Sequence, residues 1–239
     1  MTLTERLVDY DHNGTEFQGL FVCDSAVKGP VPVVLVGHAW AGRTDYEAEA
    51  ARNIAKLGYA AFAYDLYGKG VVGTTTEECN ALMTPLVEDR AMLHSRLLRS
   101  LEVAKDQSEV DGTKAAAMGY CFGGLCVLDL ARIGADVLGV ASFHGLLNPP
   151  SVGKKNTIEA KVIVFHGYDD PMAKPEDMVA LANELTEAKA DWQILALGGT
   201  MHAFTNPNAN DPSFGTVYSE KASNRSSLAF TAFLEECFA

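Results

Sequence analysis

Between Lys114 and Leu125 the chain reads KAAAMGYCFGGL, and few folds can accommodate that segment. The small residues of its first half suit a strand squeezed between close neighbours. The strand pattern ends at Gly119-Tyr120-Cys121-Phe122-Gly123, and a helical pattern begins at once. A strand that enters a helix through so tight a turn leaves no room for side chains two positions either side of the turning residue, hence glycine at 119 and 123. The turning residue, Cys121, then projects from the sheet edge above the start of the helix. There the positive end of the helix dipole and the backbone N–H of Phe122 both favour negative charge. The plainer reading is a buried cysteine among small residues, which is how Cys126, five residues further on, is taken.

The rest of the sequence supplies a sheet for that turn to stand on. Leu7–Asp11 and Phe17–Cys23 flank Asn13-Gly14, a hairpin signal, and are expected to form an antiparallel edge pair. Val31–Gly37 is apolar on both faces, as a central strand must be. Thr44-x-x-Glu47 is a capping box that opens a helix to about Leu57, ended by Gly58, and Tyr59–Tyr64 is the next strand. Thr75-x-x-Glu78 opens a long helical region, interrupted at Pro85 and running to about Asp106. Strands follow at Lys114–Tyr120, Val137–Phe143, Lys161–His166 and Trp192–Leu197, with helices at Gly123–Ile133, Pro175–Ala188 and Ser226–Phe238. Such alternation predicts an α/β fold in one domain over residues 1–239: a mostly parallel sheet with helices on both faces and an antiparallel N-terminal edge.

The formal net charge of −12 would repel phosphate backbones and anionic lipid, so neither nucleic acid nor a membrane is an expected partner. The five cysteines are odd in number and scattered, which indicates free thiols in a reducing compartment rather than a disulfide scaffold. The N-terminus carries charges where a signal peptide needs an apolar run, and no stretch reaches the roughly 18 apolar residues of a membrane span. A cytoplasmic protein is the expectation. No His/Cys/Asp spacing resembles a zinc site, so no metal is expected.

If Cys121 is a nucleophile, an acid and a base should follow it. His166-Gly167-Tyr168-Asp169-Asp170-Pro171 comes directly after a strand and so lies at the same sheet edge. Asp169 and Asp170 compete for the acid role, and Asp170 is favoured because it directly precedes Pro171. After the next strand, Gly198-Gly199-Thr200-Met201-His202 is a glycine-rich loop carrying a histidine. Nucleophile, acid, histidine is the chain order of α/β-hydrolases and not of other triad folds. His202 would hold Cys121 as thiolate and later activate water, with Asp170 fixing the imidazole tautomer.

Other histidines are weaker candidates. His12 is placed in an exposed turn and His94 on a solvated helix face, while His166 suits a structural hydrogen bond at a strand end. His144, also ending a strand, is a candidate pocket residue. Gly37-His38-Ala39-Trp40 follows the first central strand, where the fold supplies its second oxyanion donor, here the Ala39 N–H beside that of Phe122. His38 and Trp40 would edge the pocket, as would Tyr67 and Phe204; the alternatives are a satisfied loop histidine and a packing tryptophan. Asp65 is read as structural.

The segments GYCFGG at Gly119–Gly124, HGYDDP at His166–Pro171, GYAAFAYDLYG at Gly58–Gly68 and the loop of His202 together resemble the dienelactone hydrolase family. The resemblance covers nearly the whole chain. It implies an α/β-hydrolase fold, a Cys121–His202–Asp170 triad, a cytoplasmic setting and no cofactor. Two departures bear on substrate. His38 stands where the family has a glutamate paired with the thiol. The arginines that bind the substrate carboxylate in the family are absent: Asn206 takes one place, and Thr74–Leu86 contains none.

The expected activity is hydrolysis of small neutral activated esters or lactones through an acyl-thioester on Cys121. An aromatic-edged pocket without carboxylate-binding arginines also admits a second reading, hydrolysis of neutral phosphotriesters with aryl leaving groups. The third reading belongs to another class: a noncatalytic protein of the same fold whose Cys121 is a redox-sensing thiol.

Overall fold

Asn13 and Gly14 turn the chain with φ of +51° and +76°, the paired positive values that let a two-residue loop match the twist of its flanking strands. The strands are longer than their alternating cores suggest: β1 (Leu3–His12) pairs with β2 (Thr15–Asp24) over ten residues, Leu3 opposite Asp24 and His12 opposite Thr15. The computed structural model describes residues 2–239, which gather into two units whose sequences meet between Ala117 and Met118.

In the first unit, β3 (Val31–Gly37) is followed by α1 (Asp45–Lys56), β4 (Ala60–Ala63), α2 (Thr76–Glu88), α3 (Arg90–Lys105) and β5 (Val110–Tyr120), whose last residues enter the second unit. The strand order is β1-β2-β4-β3-β5, with β2 antiparallel to β4 and β3 parallel to it. Val33 to Val36 and Ala60 to Ala63 are wholly buried, as expected of strands covered on both sides. Both predicted capping boxes form, at Thr44/Glu47 and Thr75/Glu78. The interruption predicted at Pro85 falls instead at Asp89. There the backbone N–H donates to the Pro85 carbonyl (2.9 Å) and the carboxylate accepts the Met92 N–H (2.9 Å), which ends α2 and caps α3. His94 faces inward from α3 and is buried, contrary to its placement on a solvated face. Asp65 is structural as expected: it accepts the N–H groups of Gln18, Tyr67 and Gly68.

In the second unit, the end of β5 leads into α4 (Phe122–Arg132), then β6 (Gly139–Phe143), β7 (Lys161–Gly167), α5 (Pro175–Glu187), β8 (Trp192–Leu197), a small hairpin of β9 (Asn210–Asp211) and β10 (Thr216–Val217), and α6 (Glu220–Phe238). The order is β5-β6-β7-β8, and β6–β7 and β7–β8 pair in parallel. Helix α4 packs on β6, α5 on β8, and α6 on β6 and β7. Under α4, the buried Arg132 (1% exposed) joins Asp129 and Glu184 and donates to the carbonyls of Leu147 and Asn148, pinning the segment that follows β6.

Candidate active site

The elbow takes the form its glycines require. Cys121 sits between β5 and α4 with φ +54° and ψ −113°, a backbone conformation that costs a non-glycine residue on the order of 1–3 kcal/mol. Surrounding hydrogen bonds hold it there. The Cys121 N–H donates to the Phe143 carbonyl on β6 (3.1 Å), and its own carbonyl accepts from Gly124 (3.0 Å) and Leu125 (3.3 Å). A Cβ on Gly119 would overlap the Gly123 carbonyl. Cys121 is half-buried, whereas Cys23, Cys79, Cys126 and Cys237 are buried.

Asp170 lies just beyond β7. Its Oδ1 accepts the Met172 N–H (2.8 Å) and the Ala173 N–H (3.3 Å), leaving Oδ2 directed at His202 Nδ1, 2.7 Å away. Asp170 is 2% exposed, while Asp169 is exposed and its backbone N–H donates to the Thr200 carbonyl (3.0 Å). Of the two aspartates, Asp170 is the one set against the histidine. The two loops fit closely because Gly167 has no side chain: a Cβ there would come within 2.6 Å of the Thr200 carbonyl oxygen and 2.7 Å of that of Met201.

His202 is held by its backbone to the β9–β10 segment, donating to the Gly215 carbonyl (3.0 Å) and accepting the Val217 N–H (3.1 Å). Its Nδ1–H donates to Asp170, and its buried Nε2 meets no oxygen or nitrogen partner among the described residues. Burial alone would push this imidazole down. The negative charge of Cys121 opposes burial first, then the hydrogen bond to Asp170, and together with the further contacts to both groups they raise His202 to about 10. The ring is therefore disposed to carry a proton.

The remaining site residues divide. His38 is fully buried in the first unit: Nδ1 donates to the Ala39 carbonyl (2.7 Å) and Nε2 accepts the Leu66 N–H (3.2 Å). Its expected place at the pocket edge is corrected, since the ring is fully buried with both nitrogens bonded to backbone, and burial lowers its proton affinity. The Ala39 N–H donates to Glu47 Oε1 (3.1 Å), so the expected oxyanion donor is committed elsewhere. The Thr44-x-x-Glu47 signal showed the capping box; that the second oxygen of Glu47 reaches Ala39 was not visible in it. Trp40 and Tyr67 are half-buried, the Tyr67 hydroxyl donating to the Trp40 carbonyl (2.9 Å). Phe122 is the first residue of α4, whose N-cap offers no side-chain hydrogen bond.

In the second unit, Phe204 is fully buried rather than lining a pocket, because its ring packs against His144 (5.2 Å between centroids). His144 is likewise closed off from solvent, set edge to face against His202 at 5.0 Å. Asn206 is half-buried and closes its own turn, its Oδ1 accepting the Asn208 N–H (3.0 Å). His166, expected to make a structural hydrogen bond, makes none: both ring nitrogens are buried without a partner among the described residues. Thr205, which bonds His144, carried no signal in the sequence beyond lying three residues after His202.

A strained cysteine between strand and helix, with an aspartate and a histidine on the loops after β7 and β8, defines an α/β-hydrolase fold. The chain belongs to the dienelactone hydrolase family, whose model matches residues 17–238. It is 37% identical to a solved dienelactone hydrolase-like promiscuous phosphotriesterase from metagenomic libraries, with a TM-score of 0.95 and full coverage of both chains. A protein of Caenorhabditis elegans with no ascribed activity is 35% identical over 62% of this chain and 95% of its own. A Bradyrhizobium protein named as a probable 2-oxo-3-(5-oxofuran-2-ylidene)propanoate lactonase is 23% identical over 85% of each chain. The protein is thus a hydrolase of ester or lactone bonds, and the noncatalytic sensor reading is set aside. No helix among the described residues is long and apolar enough to cross a membrane.

Proposed function

We propose that the protein hydrolyses small neutral activated esters and lactones with Cys121 as nucleophile, His202 as acid and base, and Asp170 as the group that orients His202. The observation that carries this reading is the state of His202, bonded through Nδ1 to Asp170 at 2.7 Å and raised to about 10 largely against burial by the charge of Cys121. The thiolate attacks the carbonyl carbon, and the electron pair of the C=O moves onto oxygen, where the N–H of Phe122 at the start of α4 receives it. As the oxyanion collapses, the bond to the leaving oxygen breaks and the imidazolium gives that oxygen its proton. The neutral imidazole then takes a proton from water, hydroxide attacks the thioester, and the thiolate departs as the carboxylic acid forms. Asn206, tied within its own turn where the family has an arginine, favours neutral substrates over carboxylates.

The solved relative named as a promiscuous phosphotriesterase supports a second reading, in which the same thiolate attacks a neutral aryl dialkyl phosphate. A burst-phase assay with p-nitrophenyl acetate and a p-nitrophenyl dialkyl phosphate, on wild type and Cys121→Ala, separates the two. Cysteine-dependent turnover of the acetate alone supports the esterase reading, and comparable turnover of the phosphate moves the second forward. Wild-type rates in Cys121→Ala would remove both.

A further inference from the structure

Three hydrogen bonds converge on residues 143 and 144. The Phe143 carbonyl accepts the N–H of Cys121 (3.1 Å), the His144 N–H donates to the Phe165 carbonyl on β7 (2.8 Å), and His144 Nε2 lies 2.7 Å from Thr205 Oγ1. The end of β6 is thereby tied to the elbow, to the strand that leads to Asp170 and to the loop that carries His202. His144 also has φ +39° and Ala203 φ +55°, so unusual backbone is concentrated beside Cys121. Retained strain of this kind calls for a reason in the site it surrounds.

The His144 ring packs on three neighbours: His202 edge to face at 5.0 Å, Phe204 edge to face at 5.2 Å, and Tyr120 stacked at 5.9 Å. Its Nδ1 is buried with no partner among the described residues. A proton placed there would be an orphaned buried donor, so the proton sits on Nε2 and is donated to Thr205. Charging the ring would add that orphaned donor next to an imidazolium, and burial followed by the charge of His202 holds His144 well below the usual histidine range. His144 therefore stays neutral while His202 carries its proton, which excludes it as a proton shuttle and leaves it as a wall. The titratable groups set around His202 are Cys121, Asp170, His144 and His166.

We propose that His144 is a positioning residue for His202: an uncharged ring, clamped to Thr205 and Phe204 of the same loop, that fixes the imidazole plane toward Cys121. Asp170 anchors one edge of the imidazole, but a single hydrogen bond leaves rotation about its own axis open, and a packed ring closes that freedom. The inference rests on the Cys121–His202 reading above.

The test uses His144→Leu, His144→Gln and Thr205→Val, each followed by kcat and KM on p-nitrophenyl acetate and by the pH dependence of Cys121 alkylation with iodoacetamide. His144→Leu should lose roughly 10- to 100-fold in kcat with KM within about twofold, because orientation and not substrate contact is lost. Its alkylation should also need a higher pH than in wild type. His144→Gln, which can still donate to Thr205, should recover part of both, and Thr205→Val should show a smaller loss of the same kind. If His144→Leu does not fold, Thr205→Val carries the test. A folded variant with an unaltered alkylation profile, or a change in KM alone, would overturn the proposal. Cys121→Ala with wild-type turnover would sink the nucleophile reading, whereas the alkylation profiles still decide whether His144 orients His202 against the thiol.

Discussion

Replacing Asp170 by asparagine changes two atoms, and the surrounding donors dictate the consequence. Oδ1 of residue 170 accepts the N–H groups of Met172 and Ala173, so an asparagine must keep its carbonyl oxygen on that side. Its NH2 group then faces His202 Nδ1, which in the wild type donates a proton across 2.7 Å. Two donors cannot share that contact, and the imidazole must move its proton to Nε2, where it blocks the abstraction of a proton from water. The rise of His202 from 6.5 to about 10 corresponds to roughly 5 kcal/mol in favour of the imidazolium, and Asp170 is among its principal causes. The expected loss in kcat/KM is roughly 100- to 10,000-fold, about 3–5 kcal/mol, with the fold retained. The sign of the pH effect is fixed as well. A raised histidine keeps its proton until the pH climbs through about 10, so the imidazolium of the free enzyme, which kcat/KM reports, is lost only on the alkaline side of that value. In Asp170→Asn the alkaline fall moves to lower pH. Stopped-flow turnover of p-nitrophenyl acetate between pH 6 and 11 reads both quantities. An Asp170→Asn enzyme with wild-type kcat/KM and an unmoved alkaline limb would refute the account of the carboxylate as the orienting group.

Three further outcomes follow from the elbow and its supports. Gly119→Ala should destabilise by about 3 kcal/mol or more, since the new methyl overlaps the Gly123 carbonyl; urea unfolding within about 0.5 kcal/mol of wild type would contradict it. Cys121→Gly should be more stable than Cys121→Ala by about 1–2 kcal/mol, because φ +54° is strained only with a Cβ, and equal midpoints would show no stored strain. Arg132→Met removes the guanidinium from the buried Asp129 and the half-buried Glu184 and should cost about 3–5 kcal/mol, seen as a fall of roughly 6–20 °C in Tm; a drop under about 2 °C would make the network dispensable.

Much of the fold was legible because short-range chemistry sets it. Asn13-Gly14 turns the hairpin, Thr44/Glu47 and Thr75/Glu78 cap their helices, and the apolar run Val31–Gly37 is buried from Val33 onward. Pro85 misled because a proline removes one hydrogen bond, whereas Asp89 both ends one helix and starts the next. The β9–β10 pair, two residues a strand, is too short to leave a pattern, yet it holds the backbone of His202.

The candidate site shows where such reading stops. His38, His144, His166 and His202 all stand in or after a strand's C-terminal end, and residue type alone does not rank them. Their partners do. His38 has both nitrogens engaged, by the Ala39 carbonyl and by the Leu66 N–H beyond β4, and His166 has neither ring nitrogen engaged among the described residues. His144 gives one nitrogen to Thr205, while His202 gives one to a carboxylate and lies under the charge of Cys121. Only the last arrangement both fixes a tautomer and favours a proton on the ring, because it alone gives the imidazole a carboxylate acceptor. Four buried imidazoles of similar sequence context thus acquire four different chemistries. The difference lies largely in contacts made by residues 28 to 61 positions away, Leu66 for His38, Asp170 for His202 and Thr205 for His144, which no local pattern encodes.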